Sequence, residues 1–201
     1  MRSRLTKPRR KELVLGSVWA FSTLVVVATA AGSPPVPGLQ RMRPRYSFPI
    51  RPATAASFSR GGHPYPAVDV FAPSGSAFMA ITAGVIEDVQ RDETAGPPWT
   101  DETKGGRWVS ILGDDGFRYY GSHLSRVEEG LQIGQRVSAG DRLGQVGSSG
   151  NARGKPPHLH FGVSRVDEPY SWRSRRGTID PVAFLTCLGD GGTACSSKLR
   201  H

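Results

Sequence analysis

The alternation of apolar runs and turn residues after about residue 48 predicts a chain of short β-strands. These runs are rich in β-branched and aromatic residues and are separated by glycine, proline and aspartate, which is typical of all-β chains. The clearest runs are residues 78–89, 107–112, 117–120, 140–146 and 158–164. The sequence Gly113-Asp114-Asp115-Gly116 between two of them predicts a β-hairpin. No long amphipathic helix is predicted after residue 33, so the predicted fold class is all-β.

Two segments of this body have no strand pattern. Residues 91–106 carry several acidic side chains and no periodicity, and they are predicted to form a surface loop. The chain after Ser164 is predicted to be irregular, with one short apolar patch at 182–185.

The first part of the chain has the pattern of an export segment. A head with six Lys/Arg and one Glu precedes residues 13–30, which carry no charge, and Ala28-Thr29-Ala30 supplies an A-x-A cleavage site. The apolar run is long enough to serve as an anchor if it is not cleaved. We therefore predict a signal peptide or membrane anchor over 1–32 and a Pro/Arg-rich linker over 33–47. The body is then extracytoplasmic, either secreted or held on the outer face of the cytoplasmic membrane through residues 13–32.

Most of the net charge of +9 belongs to this segment. Removal of residues 1–30 takes six of the 26 basic and one of the 17 acidic residues, which leaves 20 against 16, or +4. A small excess suits either ordinary solubility or contact with anionic wall polymers. No basic stretch with interleaved aromatic residues predicts nucleic-acid binding. The oligomeric state has no signature in the sequence.

The two cysteines, Cys187 and Cys195, enclose a glycine-rich segment near the end of the chain. Outside the cytoplasm such a pair tends to be oxidised. Their spacing is not CxxC and no histidine is adjacent, which argues against a metal site there. We predict a disulfide between them.

Four of the five histidines lie in the β-rich body, and their neighbours indicate chemistry. His158 and His160 are two residues apart in a predicted strand, so both imidazoles project from one face. An H-x-H triplet alone also fits a half-exposed strand. His63 precedes Asp69, which lies in an apolar strand where a buried carboxylate needs a metal or a salt bridge. His123 ends a predicted hairpin strand, where it is either functional or a surface histidine.

Two histidines and one aspartate match the three protein ligands of a catalytic zinc site, with two histidines left for proton transfer. The sequence contains no HExxH helix and no G-x-S-x-G elbow. Both cysteines are far from any body histidine in sequence. A serine or cysteine nucleophile is therefore poorly supported.

The order of these segments resembles the lysostaphin/LytM-type zinc metallopeptidases, which are peptidoglycan endopeptidases. The resemblance spans about residues 48–164. It rests on the HxxxxxD motif at 63–69, APSGSAFMAITAGVI at 72–86, YYGSHLS at 119–125, IGQRVSAGDRLGQVGSSGN at 133–151 and PHLHFGV at 157–163.

The resemblance implies a compact antiparallel β-sheet or β-sandwich core with a groove, here assigned to residues 48–185 and followed by an irregular tail at 186–201. It implies Zn²⁺ held by His63, Asp69 and His160, with His123 and His158 as catalytic histidines. In the family, three residues separate the first histidine from the aspartate. Here five do, and Tyr65 occupies the usual histidine position. Two extra residues in a loop before a strand still allow His63 to reach the metal.

The implied function is hydrolysis of peptide bonds in peptidoglycan stem or cross-bridge peptides during cell-wall remodelling. Zinc would activate water and polarise the carbonyl, while one of His123 and His158 accepts a proton and the other stabilises the oxyanion. One alternative is a non-catalytic wall-binding member that activates another hydrolase, although such relatives have typically lost zinc ligands. Another is a biotinyl or lipoyl carrier, which VSAGDRLGQV resembles, but no lysine lies at the required hairpin tip.

Overall fold

The computed structural model of the protein describes residues 46–59, 62–93, 96–192 and 194–200. The predicted signal or anchor at 1–32 and nearly all of the linker at 33–47 lie outside these residues. Within them, no helix is both long and apolar enough to cross a membrane.

The described chain is built mainly of short strands. The strands are β1 (Ile50–Arg51), β2 (Ala67–Phe71), β3 (Ala77–Met79), β4 (Gly84–Gln90), β5 (Trp108–Gly113), β6 (Phe117–Ser122), β7 (Arg126–Val127), β8 (Arg136–Val137), β9 (Arg142–Gln145) and β10 (His158–Arg165). The α-helices are α1 (Trp172–Arg176) and α2 (Val182–Gly189), and short 3-10 turns occur at Ala53–Ala55, Gly150–Ala152 and Cys195–Leu199.

The strands form two antiparallel sheets. The larger sheet has six strands in the order β2-β10-β6-β5-β4-β8, and the smaller has four in the order β1-β3-β9-β7. The predicted all-β antiparallel fold class is confirmed. The predicted hairpin is formed by β5 and β6, and Gly116 in its turn has φ 91°, a conformation that glycine adopts without steric cost.

The larger sheet has one apolar face. Val68 and Val70 of β2 alternate with outward residues, as do Leu159, Phe161 and Val163 of β10, and all five are fully buried. Because successive side chains of a strand point to opposite faces, the alternate residues of β2 and β10 share the other face. The hydrophobic core thus fixes which residues of these strands are presented on the opposite side.

The chain after Ser164 differs from the prediction of an irregular segment. It forms α1 and α2, and α2 runs through residue 185, where the predicted peptidase domain ended. Phe184, Leu185 and Leu188 of α2 belong to the hydrophobic core. Both helices are too short for an apolar period of 3.6 residues to stand out in the sequence.

The predicted disulfide is confirmed. Cys187 in α2 is bonded to Cys195, with their Cα atoms 5.8 Å apart. Cys195 and Leu199 of the last 3-10 turn are buried in the core. The disulfide therefore joins two segments that both contribute to packing.

Candidate active site

Strand register places three polar residues in one row across the larger sheet. Asp69 of β2 lies opposite His160 of β10, which in turn lies opposite Ser122 of β6. Directly opposed residues of antiparallel strands project from the same face. His158 lies two residues before His160 and opposite Phe71, so it shares that face. The face opposite the apolar core therefore carries a carboxylate and two imidazoles.

His63 reaches this row from the segment before β2. Its Nε2 atom is 2.9 Å from Asp69 Oδ1. The imidazole stacks on the Tyr65 ring, with centroids 5.1 Å apart, and meets His160 edge-on at 4.7 Å. The five-residue interval between His63 and Asp69 thus brings the two side chains into contact, and the Tyr65 ring packs against the His63 imidazole.

His63, Asp69 and His160 form a group that could hold a metal ion. One ligand atom from each lies within 4.8 Å of the other two. Burial raises the pKa of Asp69, but the close contacts with His160 and His63 lower it by more, so the net pKa lies well below the usual value. Asp69 is therefore a carboxylate at neutral pH, the form that binds metal.

The hydrogen bonds of His160 determine which ring nitrogen is available. Nε2 is 3.3 Å from the carbonyl oxygen of Arg176, so it carries the proton and donates. Burial lowers the pKa of His160, which favours the neutral ring. Nδ1 is then an acceptor, yet it lies 3.1 Å from another acceptor, Asp69 Oδ1. Two facing acceptors fit a cation between them, so the donor set is consistent with a bound metal ion.

His123 and His158 lie beside this group with a different orientation. His158 Nδ1 donates to the Pro156 carbonyl at 2.8 Å, and His123 Nδ1 donates to the Ser149 carbonyl at 2.8 Å. Their rings are 5.0 Å apart. In the neutral rings, both Nε2 atoms consequently have a lone pair with which to accept a proton. Burial lowers the pKa of His123 to about 3, and the neighbouring histidines add to the effect, so this ring is neutral at pH 7.

The backbone of His123 has an unusual conformation. Among the residues that the structure describes, it is the single non-glycine residue with positive φ, at 64°. Ser122 ends β6 on the polar face, so regular alternation would direct the next side chain into the core. The left-handed conformation instead accompanies contact between His123 and His158. Such strain costs of order 1–3 kcal/mol and is characteristic of functional sites.

These side chains line a cleft of about 510 Å³. Lys104 and Lys155 also line it, and among the lining residues that the structure describes Asp69 is the single acidic one. Lys104 is paired with Asp101 at 2.6 Å, as is Arg176 at 3.1 Å. Within the described residues no carboxylate pairs with Lys155. The cleft therefore has an excess of positive charge before any metal is added.

Two backbone carbonyl groups contribute to the cleft and could not be predicted from the sequence. The predicted surface loop at 91–106 forms part of its wall, and the Gly105 carbonyl accepts a hydrogen bond from the His123 backbone at 3.0 Å. The second is the Arg176 carbonyl at the end of α1. Because both act through backbone atoms, residue identity does not reveal them.

Comparison with known proteins is consistent with this geometry. The family model of peptidase family M23 matches residues 63–172, more than half of the chain. The chain belongs to peptidase family M23. This M23 chain is 34% identical over 139 residues to the glycyl-glycine endopeptidase ALE-1 of Staphylococcus capitis, covering 69% of this chain and 33% of the relative. It is 29% identical over 149 residues to the L-Ala–D-Glu endopeptidase of Bacillus subtilis, covering 72% and 41%. The chain thus spans less than half the length of either relative.

Solved structures give the same family. The catalytic domain of the antimicrobial peptidase lysostaphin from Staphylococcus simulans is 26% identical, with a TM-score of 0.51, covering 67% of this M23 chain and 95% of that domain. A longer lysostaphin structure is 28% identical, with a TM-score of 0.54, covering 73% and 56%. The resemblance to lysostaphin-type peptidases is therefore confirmed.

Proposed function

We propose that this protein is a zinc-dependent endopeptidase that hydrolyses peptide bonds in peptidoglycan stem or cross-bridge peptides. The observation that carries the proposal is a set of metal donors, His63, Asp69 and His160, beside two histidines whose Nε2 atoms can accept protons. Two M23 relatives are endopeptidases by name, one glycyl-glycine and one L-Ala–D-Glu. Their different substrates leave both stem and bridge peptides within the proposal.

The donor set fits zinc better than a hard cation. Two imidazole nitrogens and one carboxylate oxygen are the ligands of catalytic zinc sites, whereas calcium and magnesium prefer oxygen ligands throughout. Zinc bound there would serve as a Lewis acid that makes water more acidic and polarises a carbonyl. His63, Asp69 and His160 would hold it.

The other two histidines handle protons and charge. The Nε2 atom of either His123 or His158 can take a proton from the attacking water and then deliver it to the leaving amine. The second ring can stabilise the oxyanion of the tetrahedral intermediate when its Nε2 atom is protonated, because its Nδ1–H is already donated to a backbone carbonyl. The carbonyls of Ser149 and Pro156 hold both rings with Nε2 exposed to the reacting groups. Among the described residues that line the cleft, no carboxylate pair is arranged as sugar-bond hydrolysis requires.

Export belongs to the same proposal. Residues 1–32 are proposed to act as a signal peptide or as a membrane anchor through residues 13–32, with 33–47 as the linker to a domain that begins at about residue 48. That domain extends past its expected end at 185, because Leu188, Cys195 and Leu199 belong to its core. The peptidase would then lie outside the cytoplasm, where its substrate is. The disulfide between Cys187 and Cys195 suits such an oxidising location.

The activity is tested on purified wall material with the 201-residue chain and one equivalent of zinc. We expect new amino termini without new reducing sugar, because peptide bonds and not glycosidic bonds are cut. Chelator should abolish the release and added zinc should restore it. If the zinc-loaded chain releases nothing but makes a separate wall amidase active, the protein is a non-catalytic activator.

The excess positive charge of the cleft predicts a preference for peptides that carry a free carboxylate beside the cut bond. Lys155→Glu should raise KM for a peptide with a free carboxylate beside the cut bond by about two- to five-fold, as expected for loss of an exposed charge pair. The KM for the same peptide with that carboxylate amidated should change less. Lys198→Glu is the matched control, since it alters net charge equally but lies outside the cleft. Equal changes for both peptides would contradict a role for Lys155 in carboxylate recognition.

A further inference from the structure

The short helix α1 provides the hydrogen-bond acceptor for His160. The acceptor is the backbone carbonyl of Arg176, the last residue of α1, at 3.3 Å from Nε2. His160 is fully buried between this carbonyl and Asp69. A histidine that donates one ring N–H to a fixed carbonyl presents its other nitrogen to a metal with defined tautomer and orientation.

We propose that α1 positions the metal ligand His160. Gly162 makes this possible because it has no side chain to keep α1 away from the strand. The inference rests on the metal site of the proposed function. It assigns roles to two residues outside the donor set: Gly162 permits close approach of the Arg176 carbonyl, and Arg175 anchors the helix that carries this carbonyl.

Gly162 lies two residues after His160 in β10 and therefore presents the same face to α1. A Cβ atom at this position would lie 2.3 Å from the Arg176 oxygen and 2.5 Å from its carbonyl carbon. Both distances are far below van der Waals contact, and the atoms belong to backbone that cannot rotate away. Any side chain at 162 must displace the carbonyl that binds His160.

Arg175 fixes α1 against the sheet. Its guanidinium lies 4.2 Å from the centre of the Trp108 ring, which is a close cation–π contact. Nη2 donates to the Glu102 carbonyl at 3.1 Å, and Nη1 donates to the Tyr170 hydroxyl at 3.3 Å. This side chain is buried, and none of its described contacts is with a proposed metal ligand. Its contacts therefore act on the site through the position of α1.

The direct test is Gly162→Ala in the 201-residue chain, read out as zinc affinity by competition with a fluorescent chelator. We expect zinc to bind about 10- to 100-fold more weakly, the range for loss of a supporting hydrogen bond to a metal ligand. In the metal-free folded chain, ¹⁵N NMR should show the His160 proton on Nε2 in the parent. In the variant the proton should be shared between Nε2 and Nδ1.

Gly84→Ala is the matched control. Its Cβ would lie 2.2 Å from the Leu112 carbonyl in the same sheet, so the backbone collision is equally severe but lies on β4, away from His160. It should reduce thermal stability and leave zinc affinity unchanged. Equal weakening of zinc binding by both variants would overturn the proposal, because general destabilisation would then explain the effect.

Arg175→Met gives a second test if Gly162→Ala does not fold. Methionine keeps apolar contact with Trp108 but removes the charge and both donors, and we expect about ten-fold weaker zinc binding.

His160→Ala distinguishes a failure of the α1 proposal from a failure of the proposed metal site. If His160→Ala abolishes zinc binding while Gly162→Ala and Arg175→Met bind as the parent does, α1 has no positioning role and the metal site stands. If His160→Ala binds zinc normally, the metal site itself is wrong.

Discussion

Asp69→Asn should remove zinc and peptidase activity together. Asp69 supplies the single carboxylate of the donor set, and its Oδ1 atom faces both His63 and His160. Asparagine keeps the size and one acceptor oxygen but has no charge, so the fold should persist while the proposed metal loses its anionic ligand. We expect zinc affinity to fall by more than about 100-fold, beyond the effect of losing a supporting hydrogen bond. Elemental analysis after gel filtration, with circular dichroism for folding, measures this.

Asp115→Asn is the control for loss of a carboxylate elsewhere. Asp115 accepts hydrogen bonds from Tyr46 and Tyr119 and takes no part in the cleft, so this variant should keep its zinc. His63→Ala should behave as Asp69→Asn does. One normal equivalent of zinc in His63→Ala would identify another third ligand, with Tyr65 and His158 as the candidates.

His123→Asn should keep its zinc but lose peptidase activity by about 10²–10⁴-fold, the usual contribution of a general acid or base. Asparagine is chosen because it tolerates the left-handed backbone, φ 64°, that His123 adopts. The loss should appear in kcat/KM for a synthetic peptide, measured beside metal content in the same preparation.

His158→Asn is the matched comparison, since both rings are held by carbonyls and neither belongs to the donor set. It should also keep its zinc and lose activity. Activity of His123→Asn within about ten-fold of the parent would assign proton transfer to His158 alone. Loss of zinc in His158→Asn would make His158 a ligand, which its Nε2 atom, 3.8 Å from Asp69 Oδ2, is near enough to become.

The sequence is informative where side-chain alternation determines position. His158 and His160 share a face because they are two residues apart in a strand whose other face is apolar, and the strand was predicted from that pattern. The pairing of Asp69 with His160 is a matter of register between β2 and β10, which are 91 residues apart at this point. No local pattern encodes that register; the sequence indicated it through the family resemblance.

The helices after Ser164 were missed because tertiary contacts stabilise them. α1 consists of Trp172, Arg173, Ser174, Arg175 and Arg176, which has no apolar stripe and resembles an exposed basic segment. Arg175 and Arg176 are nevertheless buried, lie over aromatic rings and contact the 91–106 loop, whereas Arg173 is exposed. Such a burial depends on partners from distant parts of the chain, so composition alone predicts the opposite.

The two carbonyls that hold His123 and His158 have a common origin. Ser149 and Pro156 both lie in the connection from β9 to β10, whereas the donors His63 and Asp69 come from the segment around the start of β2. The connection from β9 to β10 thus supports both proposed proton-handling histidines, whereas two of the three proposed metal ligands lie elsewhere in the chain. Substitutions that move this connection would shift both rings together and leave His63 and Asp69 in place, and His160 on β10 is the one proposed ligand near enough to be affected.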